Sequence, residues 1–270
     1  MKMLAASYLK CKQPDLLGGS SLVKGATFTS KLRGPMILAS EESHASYGGV
    51  NLAWLSLASG CIDVLSFIEL KDLFASAMTG NSALLALAMS RGDWLAASRS
   101  LSALLAFALG VALATLIYPP EHQSTRSPTR WLLVLELIFL VGCSILWGAS
   151  SRPVEGIVLY GVIVLLAFSM GIQAVAARSI NSLGINTVVN TSALIRIVIS
   201  ATDAFRRRAE LASLSNIKLD LETLAAYGCG AAVAGMLVTN HLGTLIWFPA
   251  AAVLVALVSS ELARKPGGST

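Results

Sequence analysis

The chain has 270 residues, of which 55% are apolar and only 13% charged, and its mean hydropathy is +0.70. About a quarter of a soluble domain is charged, so this composition excludes an ordinary water-soluble globule. The net charge of +5 reads as the positive bias of one membrane face rather than as a nucleic-acid footprint.

Residues 1–47 are polar and rich in Ser, Gly and Lys, with Asp15, Glu41 and Glu42 as their acids. They read as a disordered cytoplasmic tail. An organelle transit peptide is the sharper alternative, although Arg33 is the one arginine there. A transmembrane domain over 48–262 follows, then a C-terminal tail over 263–270. About 20 apolar residues cross a hydrocarbon core, and six runs qualify: Val50–Leu70, Leu101–Tyr118, Trp131–Ala149, Gly156–Ala177, Leu224–Asn240 and Leu242–Ser260. None alternates with period two as a membrane barrel strand does. The fold class is therefore an all-α, polytopic transmembrane helical bundle. With the N-terminus inside, every lysine and arginine except Lys71, Arg91, Arg99 and Arg152 falls on the cytoplasmic side.

Two further segments, Leu73–Met89 and Ile185–Ala201, are apolar but punctuated by polar residues. Both carry versions of one element. Gly60-Cys61-Ile62-Asp63 precedes Met78-Thr79-Gly80-Asn81-Ser82-Ala83, and with a shift of 110 positions Gly171-Ile172-Gln173 precedes Val188-Val189-Asn190-Thr191-Ser192-Ala193. Phe107-Ala108-Leu109-Gly110 matches Tyr227-Gly228-Cys229-Gly230 at an offset of 120. An internal duplication is expected, with repeat 1 over about 50–149 and repeat 2 over about 156–260. If the short helices are re-entrant, each half has three spans and the halves are inverted; if they cross, each has four and the halves are parallel. Arg196 would be costly inside a full span, which favours six spans plus two short helices.

Polar residues within such segments are the site candidates. Asp63, with Gly60 a turn before it, reads either as a proton- or cation-coupling group or as a structural hydrogen bond to the Thr79-Gly80-Asn81 turn. Gln173 is read as its repeat counterpart. Thr79, Gly80 and Asn81 break an apolar helix and can satisfy freed backbone or bind a ligand. Asn190 and Thr191 stand in their place in the second half, without the glycine. Glu136, between Trp131 and Trp147, is read as shallow and half-solvated, a secondary candidate with Arg196. The four cysteines and three histidines are scattered, so no metal site is expected, and no cofactor is indicated. No P-loop, Rossmann fingerprint, HExxH or GxSxG occurs, so the chain is not read as an enzyme. The expected partners are the lipid bilayer and a small solute. A secondary transporter or permease is the leading reading, and a structural or interaction membrane protein without transport the alternative.

At these residues the chain resembles the YoaK-like family of integral membrane proteins, domain of unknown function 1275. The resemblance rests on Gly60-Cys61-Ile62-Asp63, Phe74 with Met78-Thr79-Gly80-Asn81, and Phe107-Ala108-Leu109-Gly110. It continues in Leu135-Glu136, Gly171-Ile172-Gln173, Asn186-Thr187-Val188-Val189 and Arg206-Arg207-Arg208, and covers about 50–260. Asn190-Thr191 departs from the second Thr-Gly of the family pattern. The resemblance implies an inner- or plasma-membrane protein of about six spans and supplies no catalytic residues.

Overall fold

The computed structural model describes residues 35–117, 127–151, 153–180, 190–205 and 211–262. Residues from Glu42 onward form one compact unit, to which all that follows refers. The described residues contain no strand. Their eight helices are α1 (Pro35–Glu69), α2 (Met78–Arg91), α3 (Trp94–Ile117), α4 (Ser127–Ala149), α5 (Gly156–Ile180), α6 (Asn190–Phe205), α7 (Leu211–Leu245) and α8 (Phe248–Leu262). Stretches of α1, α3, α4, α5, α7 and α8 are long and apolar enough to cross a membrane, whereas α2 and α6 are not among them. The fold is a polytopic all-α bundle, as the composition requires.

Several boundaries differ from the hydropathy reading for local reasons. The first helix starts inside the stretch read as a tail, because Met36–Tyr47 holds no Gly or Pro to stop it. Residues 1–34 and 263–270 lie outside the described residues. The third helix starts at Trp94, before the apolar run, because Asp93 Oδ1 accepts the Ala96 N–H at 3.0 Å and caps it. The fourth starts at Ser127, since Pro128 is tolerated in a first helical turn.

Side-chain contacts fix the direction of each span. At one end of the bundle Asn51 near the start of the α1 span bonds Ser259 of α8, Thr129 of α4 meets Ser179 of α5 at 2.9 Å, and Arg130 pairs with Glu261 at 3.5 Å. At the other end Lys71, just past α1, pairs with Glu155 before α5, and Ser98 of α3 meets Tyr160 of α5 at 2.5 Å. There too Ser144 of α4 donates to the Ile246 carbonyl between α7 and α8. The first end is called here the near end and the second the far end. Hence α1, α4 and α7 run from near to far, and α3, α5 and α8 run back.

The short helices therefore do not cross. Between the far ends of α1 and α3, the chain turns inward over 70–77 and returns as α2. Leu70, Leu73, Ala75 and Ser76 in this turn are buried, unlike a surface loop. The short helix α6 lies between the near ends of α5 and α7. The two short helices thus sit at opposite ends.

Two helix crossings of the same construction hold the spans together. A Cβ added at Gly60 would lie 2.9 Å from the Tyr227 carbonyl carbon, and one at Gly230 would lie 2.9 Å from that of Leu57. One at Gly110 would lie 3.0 Å from the Phe168 carbonyl carbon, and one at Gly171 2.9 Å from Val111 N and against the Phe107 carbonyl. In every case a glycine faces the carbonyl three residues before the partner glycine. Small residues allow this backbone approach, the main source of helix association where lipid cancels the hydrophobic drive. The α1–α7 crossing is the counterpart of the α5–α3 crossing. The two helices of each run parallel, and the crossings point in opposite directions.

Candidate functional site

Asp63 lies six residues before the end of α1, which puts it about 9 Å inside the far end. Its side chain is 1% exposed and fully engaged. Oδ1 accepts the Ser76 N–H at 2.7 Å, while Oδ2 accepts the Ser76 hydroxyl at 2.6 Å and the Tyr227 hydroxyl at 2.8 Å. One carboxylate thus anchors the re-entrant turn to α1 and to α7. A buried polar group needs such partners to be tolerated.

Asn81 is buried and holds the same turn from the α2 side. It accepts the Phe74 N–H at 3.0 Å and donates to the Phe74 carbonyl at 2.5 Å. Thr79, Gly80 and Asn81 do not break a helix: they form the first turn of α2, and the break lies before them, over 70–77. Gly80 leaves room for the Phe74 ring, whose Cδ2 would stand 2.9 Å from an added Cβ. Phe74 also stacks on Phe67 at 5.0 Å. Thr79 is exposed.

Gln173 reaches α1 one turn before Asp63. It accepts the Ser59 hydroxyl at 2.6 Å and donates to the Leu55 carbonyl at 3.2 Å, and it is 0% exposed. No hydrogen bond joins it to Asp63. Nor is it the positional counterpart of Asp63: the glycine crossings set the offset at 111, Gly60 to Gly171, so Ala174 stands opposite Asp63 and Gln173 opposite Ile62. The shift of 110 follows from aligning Ser82 with Ser192 instead.

Glu136 is not half-solvated. It lies nine residues into α4, about 14 Å from the near end, and it is 0% exposed. Its carboxyl group faces Gln173, yet neither oxygen makes a hydrogen bond of ordinary geometry. The Ser56 hydroxyl on α1 is also buried without a partner. Ser59, Gln173 and Glu136 stand at similar depth, so three helices bring polar groups together near the bundle's middle.

On α6 Arg196 grips Asp220 of α7 with two hydrogen bonds, Nε to Oδ2 at 2.9 Å and Nη2 to Oδ1 at 2.7 Å. This bidentate hydrogen bonding pushes the guanidinium pKa still higher, so Arg196 stays cationic. Asp220 is 1% exposed and Arg196 34%. Asn190 and Thr191 open α6, but their side chains lie outside the described residues and are assigned to no site.

Sequence reasoning missed Tyr227, Ser59, Ser76 and Asp220. Tyr227 carried a signal, a hydroxyl where the matching Phe107 has none. Two cavities are formed by the described residues. One of about 10 Å³ among Ile62, Cys143, Trp147 and Ile246 has room for about one water. Another, of about 190 Å³, lies at the far end between the re-entrant turn, α2 and α3.

Six long apolar helices, short helices at opposite ends and buried polar groups together define a multi-pass α-helical membrane protein. The family described as "Protein of unknown function (DUF1275)" matches residues 52–259. The chain belongs to that family. It is 27% identical over 222 residues to the UPF0700 transmembrane protein YoaK of Bacillus subtilis (strain 168), covering 81% of this chain and 96% of that one. No solved structure gave a significant match.

Proposed function

We propose that the protein is a secondary transporter for a small solute, with Glu136 as its coupling group. The observation that carries this reading is a carboxyl group buried between α4, α5 and α1 without a hydrogen bond of ordinary geometry. A residue that merely fastens helices is satisfied by its partners, as Asp63 is. An ionised carboxylate left unpaired in the bundle is among the costliest groups a fold can hold, and a proton or a cationic ligand is its natural counterpart. The setting agrees, because opposed crossings and short helices at opposite ends are the construction of inverted-repeat transporters, which bind near the midplane. Coupling is thereby moved from Asp63, whose three bonds fit the fastening role of the alternative reading, to Glu136. No catalytic step is assigned to the protein. The depletion of basic residues at the far end supports a near end that faces the cytoplasm, in a plasma or inner membrane.

The test is uptake of a labelled panel of amino acids, sugars, organic acids and polyols into proteoliposomes under an imposed proton gradient. Wild type should concentrate one class. Glu136→Gln should lose proton-driven accumulation by at least tenfold, with unchanged abundance and unfolding temperature. Asp63→Asn should instead lower stability. Proton-driven accumulation by Glu136→Gln equal to wild type, or no solute moved above empty liposomes, overturns the reading.

A further inference from the structure

The far end is poor in basic residues, yet Lys71, Arg91 and Arg99 all line its cavity of about 190 Å³. Three of the four basic residues of this face are thus gathered at one spot. Lys71 is engaged by Glu155 at 3.4 Å, whereas Arg91 and Arg99 have no acidic partner within ion-pair distance among the described residues. The Arg99 Nε is buried and makes no hydrogen bond. Two acids share the cavity. Asp93 uses Oδ1 to cap α3, and neither it nor Asp72 pairs with either arginine.

The backbone is bent to form this wall. Lys71 and Asp72 are consecutive non-glycine residues with φ of 63° and 62°. Such conformations cost on the order of 1–3 kcal/mol each and persist where the surroundings impose them, often at ligand sites. Leu84 and Leu87 of α2 supply an apolar side. Between the lining residues Asp93 and Ala96 in sequence, Trp94 is 70% exposed and Leu95 is 68% exposed, and an exposed Trp is the kind of amphipathic anchor found at headgroup level.

We propose that this cavity binds a phosphoryl group, with the Arg91 and Arg99 guanidinium groups holding its anionic oxygens. Two guanidinium forks beside an ammonium match a tetrahedral phosphate better than a carboxylate, which offers two oxygens in one plane. The volume suits a headgroup or a small phosphate ester rather than a nucleotide. The phosphoryl group belongs either to a membrane lipid or to a soluble ester, and its recognition is the same in both.

The experiment measures thermal unfolding of the full-length protein, in detergent with inorganic phosphate or glycerol phosphate, and in nanodiscs of phosphatidylcholine with or without phosphatidylglycerol. Stabilisation by phosphatidylglycerol alone assigns the site to a lipid headgroup, and stabilisation by the soluble esters assigns it to a solute. The Arg91→Gln/Arg99→Gln double variant should keep the ligand-free unfolding temperature and lose at least tenfold in apparent affinity. Arg178→Gln, at the near end, should retain it. No stabilisation by any probe, or equal stabilisation of the double variant and wild type, overturns the proposal. Either result stands apart from transport, which is read at Glu136.

Discussion

Alanine at Gly60, Gly110, Gly171 and Gly230 tests whether the two crossings hold the bundle as described. Carbon atoms in ordinary contact are ~3.5–4.0 Å apart, whereas an added Cβ at Gly60 would lie 2.9 Å from the Tyr227 carbonyl carbon and closer to its oxygen. The helices must withdraw by at least roughly 0.6 Å, and the obstacle is backbone, which cannot swing aside as a side chain can. Overpacking of this kind costs about 1–3 kcal/mol per site, so each variant should show roughly a five- to 160-fold rise in its unfolded fraction. Gly142 is exposed with nothing within 4 Å of an added Cβ, so Gly142→Ala should be neutral or stabilising. Double variants sharpen the test. Gly60 with Gly230 share one crossing and should couple by at least ~0.5 kcal/mol. Unfolding in detergent, followed by the loss of the monodisperse chromatographic peak, gives the ranking. If the four variants behave like Gly142→Ala, or if only one crossing is sensitive, the equivalence of the crossings is refuted.

Asp63→Asn removes an acceptor from the Ser76 and Tyr227 hydroxyls and should cost about 1–3 kcal/mol. Tyr227→Phe removes one interhelical bond and should cost ~0.6 kcal/mol and at most ~1.7. The reverse order in thermal unfolding would refute the anchoring role of Asp63. Arg196→Lys cannot reproduce the bidentate grip on Asp220 and should loosen α6, read as faster proteolysis between α5 and α7. Because the guanidinium is one-third exposed, this loss should stay below the ~3–5 kcal/mol of a fully buried pair.

The spans were legible because hydropathy alone dictates which segments can sit in lipid, and the glycines of the crossings stood within the two recurring motifs, without a sign that they pack helices. The polar contacts were less so. Asp63 depends on Tyr227, 164 positions away, and no local pattern announces such a pair. The misplacement of Glu136 came from measuring depth from Trp131; Pro128 lets the helix begin a turn earlier and carries the carboxyl deeper. The one-residue error at Gln173 came from aligning the most recognisable polar triplets. The bundle aligns instead on backbone contacts, which only the glycines mark.

That register makes the two halves chemically unequal. At the α1–α7 crossing Asp63 and Tyr227 form a polar latch that also holds the re-entrant turn. Their counterparts at the α5–α3 crossing are Ala174 and Phe107, which cannot hydrogen-bond through their side chains. The short helix α6 is fastened differently, by Arg196 to Asp220. Asp220 and Tyr227 are both on α7, seven residues or about two turns apart, and so lie on one face. One helix therefore grips α6 directly, through a charged pair, and the far-end turn indirectly, through the Tyr227 hydroxyl on Asp63 of α1. A displacement of α7 along its axis strains both contacts at once. The hydroxyl is the weaker of the two, yet its loss leaves the far-end segment held to Asp63 by the Ser76 N–H and hydroxyl.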